Sequence, residues 1–162
     1  MERESVYWDS NAFLGYLKEE SDKVETCGHV LQAAEKGLLV IVTSAFALAE
    51  VIYLKGSTKL PTEQRAKVGA FFKAEFISVR NVTRTTAELA SDLVWDHNIR
   101  PKDAIHVATA CLYKVPVLHT YDDKLLASSG LTVAGHKLEI AKPSIVHQTD
   151  WVDDNQKSPH QE

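Results

Sequence analysis

Four acidic residues, Asp9, Glu50, Asp103 and Asp122, carry the chemistry this chain can offer. They lie far apart in sequence, yet each stands at the edge of an expected strand or helix. Asp9 ends the apolar run Ser5-Val6-Tyr7-Trp8 and opens the helical pattern Ser10–Leu17. Asp122 follows Val117-Leu118-His119-Thr120 in much the same way. In an open parallel α/β sheet, ligands bind at the carboxyl ends of strands. Carboxylates gathered there would repel one another unless divalent cations or protons neutralised them. A magnesium or manganese site is therefore the first expectation, and a phosphodiester substrate the second. Phosphodiester hydrolysis needs an activated water, neutralised charge at phosphorus and a stabilised leaving oxygen, which two divalent ions ~3.5–4 Å apart can supply.

Asp9 is the expected central ligand, with Glu50 and Asp103 projecting from helices and Asp122 closing the ring. Asp103 lies near a helix N-terminus, which favours a negative charge. Asp123 is a further candidate ligand, equally readable as a solvated turn residue. Arg100, Lys102 and Lys124 flank the acids and are candidate phosphate contacts, each equally readable as a plain surface charge. A lone acid at a helix start is commonly just a cap. Four in matching contexts point to a site. His106, three residues after Asp103, reads as a packed and hydrogen-bonded core histidine on the same helical face. The row Glu88, Asp92 and Asp96 reads as a solvated helix face, and Phe71, Phe72 and Phe76 as core.

The elements that must position these residues alternate strand and helix, which implies an α/β fold with a mainly parallel sheet of four or five strands and helices on both faces. Ser5–Trp8 reads as the first strand, followed by helices over Ser10–Leu17 and about Asp22–Glu35, the latter stopping before Gly37. Leu38–Val42 reads as a strand covered on both faces. Thr43 or Ser44 then caps a helix expected to reach about Leu54. Gly56 and Ser57 break the chain, and Pro61 opens a helix from Thr62 to about Glu75. A strand over Phe76–Val79, helices over Thr83–His97 and Asp103–Tyr113, and a strand over Val115–Leu118 complete the clear pattern. Beyond Leu126 the pattern weakens, leaving Ile145-Val146 as a candidate edge strand beside Pro143. Residues 149–162 are polar and aperiodic, and read as a disordered tail.

At 162 residues and 44% apolar content, the chain suits one domain with a substantial core. Its longest apolar stretch, around Leu38–Val42, is far short of the roughly 20 residues of a membrane span. The mixed charge of Met1-Glu2-Arg3-Glu4 does not read as a signal peptide. Cys27 and Cys111 have neither paired nor metal-ligand spacing and suit reduced thiols in the cytoplasm. The net charge of −4 argues against gripping nucleic acid by bulk electrostatics. Most of it, however, sits after Thr149, where Asp150, Asp153, Asp154 and Glu162 outnumber Lys157. The remainder is nearly neutral. An enzyme that turns a nucleic acid over is compatible with that balance.

The segments Tyr7-Trp8-Asp9-Ser10-Asn11 and Ala47-Leu48-Ala49-Glu50-Val51 resemble a PIN-domain nuclease. So do Pro101-Lys102-Asp103-Ala104-Ile105-His106 and Leu118-His119-Thr120-Tyr121-Asp122. The likeness covers residues 5–147, giving a PIN-like domain over 1–148 and a tail over 149–162. Size and layout are most similar to the VapC-type toxins of toxin–antitoxin pairs. The resemblance implies a ribonuclease dependent on one or two Mg²⁺ or Mn²⁺ ions that cleaves RNA to a 5′-phosphate and a 3′-hydroxyl. It further implies a homodimer inhibited by a small antitoxin that also binds operator DNA. By position Asp9, Glu50, Asp103 and Asp122 match the family's acidic quartet, and Ser10 and Thr120 its supporting hydroxyls. Trp8 departs from the small aliphatic residue usual there. The alternatives within this resemblance are a PIN nuclease of RNA processing and an inert PIN-like binding module.

Overall fold

The first apolar run forms strand β1 (Glu4–Trp8), whose alternate side chains enter two different cores, as the two-residue period of a strand requires. The structure is a computed structural model that describes residues 3–54 and 58–145. After β1 come α1 (Ser10–Leu17), α2 (Ser21–Glu35) and β2 (Leu39–Ser44). Then follow α3 (Ala47–Glu50), the short strands β3 (Tyr53–Leu54) and β4 (Thr58–Lys59), and α4 (Arg65–Lys73) behind a 3₁₀ turn at Thr62–Gln64. The chain continues through β5 (Ile77–Arg80), α5 (Arg84–His97), α6 (Pro101–Leu112), β6 (Val117–His119), α7 (Asp123–Leu126), β7 (Leu131–Val133) and β8 (His136–Ala141).

The main sheet has the order β5-β2-β1-β6-β8-β7, all parallel except β7. The chain therefore builds outward from β1 on one side, to β2 and β5, and then restarts on the other side with β6. That reversal lies between β1 and β6, paired Tyr7 to Leu118 and Trp8 to His119. Reversals of this kind open a crevice at the carboxyl ends of the two strands. Val6, Trp8 and Ile41 pack on one face with Phe13 and Leu17 of α1, Val30 and Leu31 of α2, and Phe72 of α4. Tyr7, Val42, Leu118 and Ile140 pack on the other with Leu93 of α5, Val107 of α6 and Leu125 of α7. Helices thus cover both faces, as expected. Among the described residues, no helix is long and apolar enough to cross a membrane.

Three elements differ from expectation. The helix expected to reach Leu54 stops at Glu50: Val51 leaves helical backbone (φ −76°, ψ 50°), Val51-Ile52 form a turn, and aromatic Tyr53 begins a strand. The chain instead turns into the antiparallel β3–β4 pair. The sheet gains β7 and β8, giving six strands where four or five were expected. Their hairpin turns at Ala134-Gly135, both with positive φ (49° and 75°), the two-residue geometry that suits strand twist. Alanine seldom adopts it, so the usual sequence signal is absent. The edge strand is β7; Ile145 is not in a strand, and Val146 lies outside the described residues. The expected break at Gly56-Ser57 and the tail over 149–162 also lie outside them.

β8 is nonetheless central to the second core, where Leu138 is fully buried. Leu138→Ala is expected to destabilise the protein by about 2–5 kcal/mol, the usual cost of emptying a leucine site. Equilibrium denaturant unfolding checks this. A cost below roughly 1 kcal/mol would show that β8 is not integral to the fold.

Candidate active site

Asp9 leaves β1 at the reversal and serves as N-cap of α1, its Oδ1 accepting the Ala12 N–H at 3.0 Å. Asp122, just after β6, caps α7 in the same way, its Oδ1 accepting the Leu125 N–H at 2.9 Å. The Thr120 hydroxyl sits between them. It accepts the Asp122 N–H at 3.1 Å and hydrogen-bonds the Asp9 carboxylate. Asp103 lies in the first turn of α6, and Glu50 is the last residue of α3. Glu50, Asp103 and Asp122 line one cavity of about 1060 Å³, together with Ser10, Arg100 and Lys102. Asp9 itself is buried beside it, 1% exposed. Asp123 and Lys124 are exposed on α7 and do not line the cavity.

Two basic groups already engage the acids. Arg100 spans two of them: its Nε donates to Asp103 Oδ2 at 3.0 Å, and its Nη2 donates to Asp122 Oδ2 at 2.5 Å while lying 2.9 Å from Asp103 Oδ2. His106 is buried, with Nε2 2.6 Å from Glu50 Oε1 and Nδ1 2.7 Å from the Tyr7 hydroxyl. As arranged, no three acidic, histidine or cysteine side chains among the described residues form a ready ligand cluster. The donor set still fits a hard divalent cation, which takes carboxylate oxygens. Arg100 marks the place for positive charge, standing between Asp103 and Asp122 as a cation would.

The three aspartates differ in how far their charge is compensated. Burial pushes Asp9 from an ordinary 3.8 up to about 6, and nearby His106 and the Thr120 and Ala12 hydrogen bonds offset only part of this. Burial also raises Asp103, against the pull of Arg100. At Asp122 burial acts upward too, but the Leu125 N–H and Arg100 outweigh it and hold the carboxyl below its usual value.

Several lining residues were not singled out in the sequence. Asn11, Leu14, Gly15 and Lys18 form one bank of the cavity, at the i, i+3, i+4, i+7 spacing of a helix face. Tyr121 lies against Gly15, where an added Cβ would come within 3.0 Å of its ring. Lys23 stands 5.0 Å from the Tyr121 ring centre and, like Lys18, pairs with Glu20. Trp8 does not enter the cavity. It is fully buried, packed edge-on to Phe13 at 5.1 Å, with its indole N–H donating to His119 Nδ1 at 3.2 Å. The acids of the Glu88, Asp92 and Asp96 row are exposed, with Glu88 paired to Arg84.

The raised pKa of Asp9 predicts a pH effect. The folded protein holds this proton more tightly than the unfolded chain. The linked stability is complete below about pH 4 and is lost as the pH rises through about 6. A rise from 3.8 to about 6 corresponds to at most about 3 kcal/mol. Without metal, Asp9→Asn is therefore expected to be more stable than wild type at pH 7, with the gap closing toward pH 4. Thermal unfolding in chelator across that range measures it; equal stability at pH 7 would contradict the assignment.

The PIN domain family model matches residues 6–129, more than three quarters of the chain. VapC20 of Mycobacterium tuberculosis, a toxin that cleaves the sarcin-ricin loop, superposes with a TM-score of 0.57 at 14% identity. That match covers 82% of this chain and 98% of VapC20. A toxin–antitoxin complex from Klebsiella pneumoniae gives 0.56 at 17% identity, covering 85% of this chain and 97% of the other. No curated protein sequence matches. The parallel sheet reversing between β1 and β6, the acids gathered at that reversal and the family match all agree: this chain belongs to the PIN-domain family.

Proposed function

We propose that this protein is a divalent-metal-dependent endoribonuclease and the toxin of a toxin–antitoxin pair. The observation that carries the reading is the gathering of Glu50, Asp103 and Asp122 on one cavity beside buried Asp9, at the reversal of the parallel sheet. These four would hold one or two Mg²⁺ or Mn²⁺ ions. When bound, the metal supplies an activated water and neutralises charge on the phosphodiester.

The chain's own residues do the rest. Asp9 and Asp122 are held rigidly by their caps, and Thr120 ties one to the other. Arg100 bonds Asp103 and Asp122, contacts for which a divalent cation would compete. Once released, its planar fork suits a phosphate. Lys102, Lys18 and Lys23 line the same cavity, the last two in partly exposed pairs with Glu20 that an RNA phosphate can compete for. Tyr53, which lines the same cavity and is exposed, offers a ring on which an unpaired base can stack. That favours single-stranded or looped RNA over a duplex, whose bases are already stacked. An antitoxin partner belongs to this reading, supported by the likeness to a chain solved within a toxin–antitoxin complex. A homodimer and a cytoplasmic location belong to the same reading.

The test is cleavage of single-stranded and structured RNA by protein freed of any copurifying partner, with Mg²⁺, Mn²⁺ or chelator. Cutting is expected only with metal, and Asp9→Asn and Asp103→Asn are each expected to lower it by about 100-fold or more. Full activity in Asp9→Asn, or in chelator, would overturn the reading. Arg100→Gln should bind Mn²⁺ about 10-fold more tightly by calorimetry, since the ion no longer competes with the guanidinium, and should raise KM for RNA. Unchanged Mn²⁺ affinity would show that Arg100 does not occupy the metal's place.

A further inference from the structure

We propose that His106 is the positioning residue of the site: anchored by Tyr7, it donates a hydrogen bond from Nε2 to Glu50 and so aims that carboxylate at the cavity. This rests on the metal-dependent reading of the acids above.

Glu50 is the acid most in need of such help. Asp9 and Asp122 are fixed by caps at the starts of their helices, and Asp103 sits in the first turn of the twelve-residue α6. Glu50 instead ends a four-residue helix that runs straight into a turn. So short an element has little intrinsic stability, and its last residue is prone to fray. Its side chain must be held from outside.

His106 supplies that hold. It lies one turn after Asp103 on α6, so one rigid helix sets Asp103 directly and Glu50 through the imidazole. The ring is 1% exposed and has two aromatic neighbours, Tyr7 edge-on at 5.7 Å and Phe46 at 6.1 Å. Burial among them limits its freedom to turn. At Nδ1 the Tyr7 hydroxyl, 2.7 Å away, fixes the orientation. At Nε2 the Glu50 carboxylate, 2.6 Å away, can only accept. An unprotonated Nε2 would place two lone pairs face to face at that distance, so Nε2 carries the proton. His106 engages only Oε1 of Glu50, a residue that lines the cavity. Bonds of this kind to a metal-binding side chain set its direction, and their loss typically weakens metal binding about 10- to 100-fold.

The experiment measures Mn²⁺ affinity by calorimetry for wild type, His106→Leu, His106→Gln and Tyr7→Phe, with thermal unfolding of each. A glutamine places an N–H donor near the position of Nε2, whereas leucine fills space without one. His106→Leu is expected to bind Mn²⁺ about 10- to 100-fold more weakly, and His106→Gln to recover most of that loss. Tyr7→Phe leaves the imidazole in place but unanchored, and is expected to show a smaller loss while remaining folded. ¹⁵N NMR of the metal-free wild type should show a protonated Nε2. Wild-type binding that persists unchanged in both His106→Leu and Tyr7→Phe, or an unprotonated Nε2, overturns the role of His106 alone. A wild type that binds no Mn²⁺ overturns the metal reading itself, and the proposal with it.

Discussion

The pairing of β1 with β6 is the constraint on which the rest of the site depends. Their register ends both strands together, Trp8 beside His119, so the residues that follow emerge side by side. The Asp9 N–H bonds the His119 carbonyl, the Trp8 indole bonds the His119 ring, and the Thr43 hydroxyl bonds the Trp8 carbonyl. A slip of one residue would exchange Tyr7 and Trp8 between the two cores, and both side chains are fully buried. Two hydrophobic cores thus enforce the register that places the acids. The site inherits its geometry from packing that makes no contact with a ligand.

That placement has an electrostatic cost, which falls unequally on the acids. Asp122 is well compensated by backbone donors and Arg100, Asp103 only in part, and Asp9 least of all. An isolated buried carboxylate is unfavourable unless a proton or cation meets it. The fold therefore works against itself at Asp9 in order to keep a charge where a cation can be drawn. Arg100 relieves the outer acids without reaching the inner one. Its contacts are half-exposed and correspondingly weak, so a divalent ion can replace them.

Local pattern made the alternation of strand and helix legible, because buried parallel strands such as Leu39–Ser44 are continuous apolar runs and the covering helices show clear stripes. What it could not show was where tertiary pairing overrides local preference. Ala47–Glu50 begins as a helix, but the chain turns at Val51-Ile52 and Tyr53-Leu54 pair with Thr58–Lys59. The β7–β8 hairpin was hidden by an alanine where glycine or asparagine is usual. Within the site, the acids could be picked out because each follows a strand or opens a helix. Lys18, Lys23 and Tyr121 could not, since their place on the cavity depends on how α1 and α2 lie across the sheet. The Arg100 bridge was half visible: its nearness to Asp103 is local, but its bond to Asp122 spans 22 residues.

A carboxylate after a strand and before a helix invites two readings, a helix cap or a ligand, and in sequence they compete. In the structure they do not. Asp9 and Asp122 each use Oδ1 as a cap, and Asp122 meets Arg100 with Oδ2. Capping fixes the side chain in one rotamer, which is what a ligand-binding oxygen needs if it is not to lose that freedom on binding. The cap is therefore part of the site's preorganisation. It also explains why local sequence cannot separate structural from functional acids at such junctions: the same contact serves both. What separates them is topology. A cap on an isolated helix faces water, whereas these two face each other across a sheet reversal with Thr120 between them. Only the strand order supplies that fact.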